Sequence, residues 1–280
     1  MRVLITGAAG MLGQDVRDAG AEHQVVALPR SELDITDPEA VAVAVRDGAP
    51  DVVINCAAWT DVDGAERSFD EAALVNGRGA GHVAQAANGA GAWTIHISSD
   101  YVFDGVKREP YLESDHVAPL SAYGRSKLAG EQAVAEAAPE RHTIVRSSWL
   151  FGAGGACFPT TILRLAAERD SLTVVDDQVG CPTFTGHLAR ALISIAERPA
   201  LGVAHVAGGG HCSWFEFAVE IVARASLSCE VRPGSTAALA RPALRPAYSV
   251  LGTERASEAP RLPDWRRGLA EFLALAVPSP

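Results

Sequence analysis

The first half of the chain alternates short apolar runs with alanine-rich stretches long enough to form helices. The apolar runs RVLIT, HQVVAL, DVVIN, WTIHIS and HTIVRSS are continuous rather than alternating, as expected of strands that are covered by helices on both faces. The stretch after the second run begins with Asp37 as a helix N-cap and Pro38 in the first turn, and it ends at Gly48. A long helix is predicted over about 70–90. This alternation of strands and helices predicts an α/β protein with a doubly wound parallel sheet.

The pattern changes after about residue 150. The stretch FGAGGACFPT is typical of a loop, and further strand and helix patterns run from LTVVDD to about 225. The remaining segment contains five prolines, namely Pro233, Pro242, Pro246, Pro260 and Pro263. We predict a first domain over 1–150, to which segments from about 172–225 return. A smaller and more irregular C-terminal domain, interleaved with the first, is predicted over about 151–171 and 226–280.

Charge and composition argue against several classes of partner. The net charge of −10 disfavours nucleic acid and anionic membrane surfaces, because both require basic patches. No apolar run reaches the roughly 18 residues of a membrane span, and the stretch MRVLITGAAG lacks a signal-peptide pattern. The five cysteines are odd in number and contain no CxxC pair, which favours the reducing cytoplasm and disfavours a disulfide framework.

One segment contains potential metal ligands close together. The stretch HVAGGGHC includes His205, His211 and Cys212. No second ligand pair stands at the spacing that a zinc site requires, so we interpret the segment as a strand end followed by a glycine-rich turn. The sequence therefore predicts no metal site.

Three glycines follow the first predicted strand. Gly7, Gly10 and Gly13 form the stretch GAAGMLG, which also begins a predicted helix. In such a turn the first glycine permits the tight bend, the second lets the backbone approach a diphosphate, and the third lets the helix pack on the sheet. The free N–H groups of the helix N-terminus then face the phosphates. The position of the pattern favours a Rossmann dinucleotide site over an ordinary strand-to-helix turn, so the first domain is expected to bind a dinucleotide.

A tyrosine and a lysine stand four residues apart in the stretch SAYGRSKLAGE. The chain has only four tyrosines and two lysines, so a Tyr-x-x-x-Lys pair is expected by chance only about 0.03 times. On a helix Tyr123 and Lys127 share one face. We expect the ammonium group of Lys127 to lower the pKa of the Tyr123 phenol from about 10 toward neutrality, which would make Tyr123 a general acid for a carbonyl oxygen. The alternative is an exposed helix pair without a catalytic role.

Two hydroxyl groups end the fourth predicted strand, in the stretch ISSDYVFDG. Ligands of open α/β sheets bind beyond the carboxyl ends of the strands. Ser98 and Ser99 are each able to donate a hydrogen bond to a substrate carbonyl there, or to cap the following loop. We favour the substrate contact for Ser99 and the capping role for Ser98.

The glycine pattern combined with the Tyr-x-x-x-Lys pair resembles the extended short-chain dehydrogenase/reductase family. Further stretches resemble the members of that family that reduce dTDP-linked sugars. They are SELDITD, NCAAWTDVDGAE, SSDYVFDG, PLSAYGRSKLAGE, RSSWLFG, DDQVGCPT, SWFEFA and RPAYSVL. The resemblance is distributed over most of the chain and is specific because these stretches occur together and in order. It implies a Rossmann domain with a smaller substrate domain.

The resemblance implies roles for individual residues. Ser99, Tyr123 and Lys127 match the family's catalytic set, with Ser99 standing where close relatives often have threonine. Asp34 and Ile35 match residues that contact adenine. The full set of implied cofactor-binding residues is Gly7, Gly10, Met11, Leu12, Gly13, Asp34, Ile35, Ala57, Ala58, Thr60, Tyr123 and Lys127. The implied substrate-binding residues are Ser99, Asp100, Tyr101, Trp149 at the sugar, and Arg245 near the nucleotide diphosphate.

The expected reaction is the NAD(P)H-dependent reduction of the 4-keto group of dTDP-4-dehydro-L-rhamnose to dTDP-L-rhamnose. A dTDP-linked 4-keto-6-deoxy sugar is accordingly the expected partner. One alternative is a reductase or epimerase for another nucleotide-linked deoxysugar, such as an antibiotic sugar or a dihydrostreptose precursor. Another is a non-catalytic regulatory subunit that binds a dinucleotide, which has no need of the Ser-Tyr-Lys set. Some relatives form dimers around magnesium, so a homodimer is one expected form, but the metal positions of those relatives are not matched here.

The end of the second strand bears on the choice of cofactor. NAD-selective enzymes usually place an acidic residue there to bind the adenosine ribose 2′-hydroxyl. This chain has Arg30 and Ser31 in the stretch VVALPRSELD, with Glu32 and Asp34 later. Arg30 is able to pair with a 2′-phosphate through charge-assisted hydrogen bonds, unless it is only a solvated loop cation. The sequence therefore predicts a preference for NADPH, with NADH also accepted, and adds Arg30 to the cofactor-binding residues.

Overall fold

Twelve strands occur in the computed structural model, which describes residues 1–276. They are β1 (Arg2–Thr6), β2 (Gln24–Leu28), β3 (Val52–Asn55), β4 (Trp93–Ser99), β5 (His142–Ser147), β6 (Leu150–Phe151), β7 (Ser171–Val175), β8 (Val179–Gly180), β9 (Thr183–Phe184), β10 (Gly202–His205), β11 (Cys212–Ser213) and β12 (Glu230–Gly234). Six of them form a parallel sheet in the order β10-β5-β4-β3-β1-β2. The predicted doubly wound parallel sheet is confirmed.

Eleven α-helices occur in the same described range. They are α1 (Met11–Ala19), α2 (Pro38–Gly48), α3 (Val62–Ala65), α4 (Phe69–Ala73), α5 (Ala80–Gly89), α6 (Ala122–Ala137), α7 (Phe158–Glu168), α8 (Thr185–Glu197), α9 (Trp214–Arg224), α10 (Thr236–Leu239) and α11 (Trp265–Ala276). A π-helical segment, Leu74–Gly79, joins α4 to α5, and a 3₁₀ turn, Asp100–Val102, follows β4. None of these helices combines the length and apolarity needed to cross a membrane.

Helices cover both faces of the six-stranded sheet, which explains the continuous apolar runs. On one face α1 and α8 pack their apolar sides, including Val16 and Leu188, against Ile5 of β1. On the other face α2 and α5 pack against Leu4 and Val53. The strands β1, β3, β4 and β5 are accordingly buried along almost their whole length. This packing holds the carboxyl ends of the strands at one edge.

The strand order reverses at β1, because β2 and β3 lie on its two sides. The chain after β1 leads to α1 on one face of the sheet, and the chain after β3 leads toward α5 on the other face, so a crevice opens between them at the carboxyl edge. Ligands of doubly wound sheets bind at such a reversal point.

A smaller lobe consists of α7, β7, α9, β12 and α11. In it β7 pairs with β12 as a separate parallel ribbon, and the helices bury an aromatic core that includes Phe217, Trp265 and Phe272. Within the expected 172–225, residues 185–205 return to the main sheet, as α8 and β10, whereas β7 and α9 belong to the smaller lobe. The reason is that β7 finds its partner in β12 and α9 packs on both. The domain limits themselves stay a prediction.

Candidate active site

The glycine turn after β1 has the shape that the sequence analysis expected for a dinucleotide turn. Gly7 has a φ of 67°, and a Cβ atom there would lie 2.6 Å from the backbone nitrogen of Ala57. A Cβ atom at Gly13 would collide with the carbonyl oxygen of Gly7. Both positions therefore require glycine, because any side chain would force the turn away from β3 or the helix away from the turn.

Helix α1 begins at Met11 with an uncapped N-terminus. Its N-cap residue, Gly10, provides no side-chain hydrogen bond, and no acidic residue stands in the first turn. The first-turn N–H groups of Met11, Leu12 and Gly13 have no partner inside a helix. Together with the helix dipole they attract a negatively charged group, so this end of the site fits the diphosphate of a dinucleotide.

A buried asparagine holds the loop after β3, which contains Ala57, Ala58 and Thr60. Asn76, in the π-helical segment, accepts a hydrogen bond from the Trp59 N–H at 2.8 Å and donates to the Trp59 carbonyl at 3.1 Å. Its amide also donates to the Ser126 hydroxyl on α6 at 2.9 Å. Sequence reasoning missed Asn76. The available signal was a polar residue that interrupts the apolar pattern of the helix predicted over about 70–90, since π-helical segments often accompany functional sites.

The predicted catalytic residues come from β4 and α6. Ser99 is the last residue of β4, and Tyr123 and Lys127 stand one turn apart near the start of α6. Ser121 fixes that start, because its hydroxyl caps the Gly124 N–H at 3.1 Å. Lys127 is 2% exposed and its Nζ donates to the Ile97 carbonyl at 2.6 Å. The lysine is thereby held against the strand that carries Ser99.

The electrostatics of Tyr123 differ from the expectation. Burial raises the pKa of the phenol to about 12; hydrogen bonding with Ser99 opposes the rise and the Asp100 carboxylate adds to it. Burial also lowers the pKa of Lys127 to about 8, against the effect of the Glu131 carboxylate. The prediction that Lys127 brings the pKa of Tyr123 toward neutrality is wrong for this structure. The reason is that the desolvation of the phenolate outweighs the other influences on the phenol.

A buried ion pair lies beneath Lys127. Glu131, one turn further along α6, accepts two hydrogen bonds from the Arg146 guanidinium of β5, at 2.8 and 2.7 Å. It also accepts a hydrogen bond from the Ser98 hydroxyl at 2.5 Å. Ser98 is therefore committed to the protein interior, and of the two serines only Ser99 is associated with Tyr123. These bonds tie α6 to β4 and β5 and so fix the position of the helix that carries Tyr123 and Lys127.

Asp100 is a buried carboxylate next to Ser99. Its Oδ1 atom accepts a hydrogen bond from the Ser99 hydroxyl at 3.0 Å, and its Oδ2 atom accepts one from the Ser249 hydroxyl at 2.6 Å. Burial raises its pKa to about 7, although these hydroxyl groups oppose the rise. Sequence reasoning placed Asp100 at the substrate. It did not connect Ser249 with Asp100, because the two residues lie 149 positions apart along the chain.

Tyr101 is close to both Tyr123 and Arg245. The rings of Tyr101 and Tyr123 meet edge to face at 5.7 Å. Burial raises the pKa of Tyr101, and the positive charge of Arg245 opposes that rise. The Arg245 guanidinium makes two hydrogen bonds to the Asp63 carboxylate, at 3.1 and 2.9 Å. The positive charge of Arg245 is thus paired with Asp63 in this structure. The resemblance had implied that Arg245 lies near the nucleotide diphosphate.

Trp149 follows β5 in an uncommon backbone conformation, with a φ of 49°. Its indole stacks face to face on that of Trp214, with ring centres 3.5 Å apart and planes within 4°. The indole of Trp149 also packs against Gly180, so closely that a Cβ atom on Gly180 would lie 2.5 Å from the ring. Sequence reasoning missed Trp214, which belongs to α9 of the smaller lobe. The ring of Trp149 is therefore held between two elements that are distant in sequence.

Arg30 and Asp34 lie in the loop after β2. The Arg30 side chain is 80% exposed and stands 3.8 Å from the Asp34 carboxylate. Asp34 accepts hydrogen bonds from the N–H and the hydroxyl of Thr36, and these lower its pKa. Ile35 is buried in the core between the sheet and α5, with Val83 as a neighbour in that cluster. Arg30 is thus an exposed positive group in the loop after β2.

In a doubly wound sheet, a dinucleotide turn after the first strand and a Tyr–Lys pair on the helix after the fourth define a short-chain dehydrogenase/reductase of the extended type. A family model described as "RmlD substrate binding domain" matches residues 1–277. The chain belongs to that family.

Three similar proteins illustrate the relationship. A dTDP-4-dehydrorhamnose reductase of Streptomyces griseus is 44% identical over 282 residues, which cover 96% of this chain and 92% of that protein. A dTDP-4-keto-6-deoxy-D-glucose reductase of Streptomyces niveus is 40% identical over 98% of this chain and 97% of its own. The crystal structure of dTDP-4-dehydrorhamnose reductase from Bacillus anthracis in complex with NADP has a TM-score of 0.94 and 39% identity, covering 98% of this chain and 99% of that one.

Proposed function

We propose that the protein is an NADPH-dependent reductase that converts dTDP-4-dehydro-L-rhamnose to dTDP-L-rhamnose. The observation that carries the proposal is the Ser99, Tyr123 and Lys127 set, complete and assembled at the carboxyl edge of the sheet. The likeness to the Streptomyces griseus reductase, which extends over 96% of the chain, supports the choice of substrate.

When bound, the dinucleotide supplies the hydride for the carbonyl carbon. The glycine turn and the N-terminus of α1 would hold its diphosphate, and the loop with Ala57, Ala58 and Thr60 would line its path. Tyr123 and Lys127 would contact it from α6. These residues fit the group because the turn admits no side chain at Gly7 or Gly13 and leaves the helix N–H groups without a cap.

Tyr123 is the proton donor in this mechanism. With a pKa of about 12, its phenol is protonated at neutral pH and is available to protonate the oxygen that develops negative charge at C4. Lys127, with a pKa of about 8, is largely protonated at neutral pH, and its ammonium stabilises the phenolate that remains. Ser99 orients the carbonyl. Trp149 and Trp214 form an aromatic wall for the sugar nucleotide, and Asp100, Tyr101 and Arg245 complete its pocket.

We propose a preference for NADPH because Arg30 presents the exposed positive charge in the loop after β2. The Bacillus anthracis relative binds NADP, which supports the same choice. NADH is also expected to be used, since one exposed arginine contributes modestly to affinity. Asp34, already bonded to Thr36, is the remaining polar candidate near the adenosine.

A second candidate is reduction of a different nucleotide-linked 4-keto sugar. The observation that favours it is the 40% identity to the Streptomyces niveus dTDP-4-keto-6-deoxy-D-glucose reductase, which is close to the identity with the rhamnose enzyme. The two substrates differ in the stereochemistry of the sugar ring, so the pocket around Trp149 decides between them. A regulatory subunit is disfavoured, because a binding module does not need a complete catalytic set.

The test is a comparison of turnover with both dTDP-linked 4-keto sugars for the wild type and Tyr123→Phe. We expect the rhamnose precursor to be the better substrate. Tyr123→Phe should lower kcat by roughly 10²–10⁴ while cofactor binding survives, because only the proton donor is removed. Tyr111→Phe is the matched control, since it also removes a buried phenol hydroxyl, bonded to Asp104 at 2.6 Å. Near-normal turnover by Tyr123→Phe would exclude the proposed mechanism, and faster use of the other sugar would favour the second candidate.

We also propose that the protein works in the cytoplasm, because all five cysteines are free. A homodimer stays a prediction, and light scattering of the purified protein measures it.

A further inference from the structure

Ser249 lies in the segment between β12 and α11, far in sequence from the catalytic residues. It is 1% exposed, and its N–H donates to the Val179 carbonyl of β8 at 2.8 Å. Its hydroxyl donates to the Oδ2 atom of Asp100 at 2.6 Å. The backbone bond fixes the position of the residue, so the hydroxyl reaches the carboxylate from a rigid support.

Asp100 connects Ser249 to the catalytic serine. The Ser99 hydroxyl donates its single proton to the Oδ1 atom of Asp100 at 3.0 Å, and its oxygen accepts a bond from the Tyr101 N–H at 3.2 Å. The direction of the Ser99 hydroxyl therefore depends on where the Asp100 carboxylate lies. Ser249 contributes to that position together with the backbone groups of Asp100 and Tyr101, because it holds the other carboxylate oxygen at 2.6 Å.

The surroundings of Asp100 make these two hydroxyl groups important. The ionisable groups that face it are Tyr101 of the same turn, Tyr123 of α6 and Cys181 after β8. The negative charge of Asp100 raises the pKa of each of them, so none provides a compensating positive charge. In the part of the chain that the structure describes, Asp100 forms no salt bridge. A buried carboxylate without a cation depends on hydrogen-bond donors to remain ionised. Removing the Ser249 donor should therefore raise the pKa of Asp100.

We propose that Ser249 is a positioning residue for the reduction, which holds Asp100 so that Asp100 fixes the position of the Ser99 side chain. When the sugar binds, the Ser99 hydroxyl turns its proton from Asp100 to the substrate carbonyl. This inference rests on the proposed function, because it gives Ser99 the task of orienting the substrate carbonyl. It also assigns Asp100 a role toward Ser99 in addition to any contact with the sugar.

The test is the pH dependence of kcat for Ser249→Ala. We expect kcat at neutral pH to fall about tenfold, since a misplaced catalytic group loses much of its effect, while KM for both substrates stays within about twofold. The acid limb of the profile should move to higher pH, because loss of a donor to the ionised form raises the pKa of Asp100. Ser249→Thr, which keeps the hydroxyl, should restore both values, and Ser249→Cys replaces the alanine variant if that variant does not fold.

Thr253→Val is the matched control. The Thr253 hydroxyl also donates to a carboxylate at 2.6 Å, that of Glu113, from the same segment of the chain. Its loss should lower the Tm without changing the pH profile. If the pH dependence of kcat were unchanged in Ser249→Ala, Ser249 would have only a structural role. An equal loss of kcat in Thr253→Val would show that the segment as a whole is needed, and either result overturns the proposal.

A measurement without substrate separates this inference from the proposed function. Infrared difference spectra across the pH range should contain a protonated-carboxyl band that is absent in Asp100→Asn. Its midpoint should lie at higher pH in Ser249→Ala than in the wild type. An identical midpoint would overturn the link between Ser249 and Asp100. If the wild type reduced neither 4-keto sugar, the proposed function would fail while this comparison still decided the link.

Discussion

Replacing Gly180 by alanine tests whether the Trp149 ring belongs to the sugar pocket. The new Cβ atom would lie 2.5, 2.6 and 2.8 Å from Cε2, Nε1 and Cζ2 of the indole. Nonbonded carbon atoms normally approach to about 3.5 Å, so the ring must move by about 1 Å. It cannot move toward Trp214, whose ring centre is already 3.5 Å away. The backbone at Gly180 accommodates alanine, because its φ angle is not positive.

A displacement of about 1 Å in a group that positions substrate can cost about 100-fold in rate. We expect KM for the sugar nucleotide to rise roughly 10- to 100-fold in Gly180→Ala, with cofactor affinity unchanged. Overpacking of about 1–3 kcal/mol should also lower the Tm by roughly 2–10 °C. Steady-state kinetics, with each substrate varied in turn, measures the first effect, and calorimetry measures the second.

Gly89→Ala is the matched control, because a Cβ atom there would meet nothing within 4 Å. It should change neither KM nor the Tm by much. The reasoning would be refuted if Gly180→Ala lost thermal stability while KM for the sugar nucleotide stayed normal. Trp149 would then belong to the packing between the lobes and not to the substrate pocket.

Three further predictions concern the charged residues of the site. Lys127→Met should lower both kcat and cofactor affinity, and a change in only one of them in stopped-flow and binding measurements would contradict its double role. Arg30→Asp should reverse the preference for NADPH, chiefly by raising KM for NADPH about tenfold, and equal or better use of NADH by the wild type would argue against Arg30. Arg245→Met should lower the Tm at neutral pH, because Arg245 lowers the pKa of Asp63 and the charged pair stabilises the folded protein there. The pair stabilises the protein above the ordinary carboxyl pKa of about 4, and that contribution disappears as the pH falls through the lower folded value. The difference in Tm between the wild type and the variant, measured between about pH 3 and 7, should therefore shrink as the pH falls.

Local patterns were sufficient to predict the central sheet and the chemistry at its edge. The continuous apolar runs identified β1 to β5, because strands buried on both faces have no polar side. The glycine turn and the Tyr123–Lys127 pair were recognisable because both are set by spacing within one turn or one helix. The sequence also placed the helix that contains Asn76, but not its π-helical geometry, since that depends on contacts with Trp59 and Ser126.

Interactions between distant segments were beyond local patterns. The stack of Trp149 on Trp214 and the bond from Ser249 to Asp100 join parts of the chain that meet only after folding. The pKa of Tyr123 was misjudged for a related reason. The spacing to Lys127 was correct, but the burial of the phenol, which dominates the shift, comes from the packed structure.

The late return of α8 and β10 to the main sheet determines when that sheet can finish folding during synthesis. Apolar residues of β1, such as Val3 and Ile5, are covered by Leu188 and Leu192 of α8. The strand β10 protects the otherwise open side of β5. A nascent chain must therefore extend beyond residue 205 before the main sheet is complete. Until then the face of the sheet that α8 covers stays apolar and exposed. An isolated fragment of residues 1–150 would keep that face exposed permanently, so the two halves cannot be separated or exchanged between relatives by a single cut.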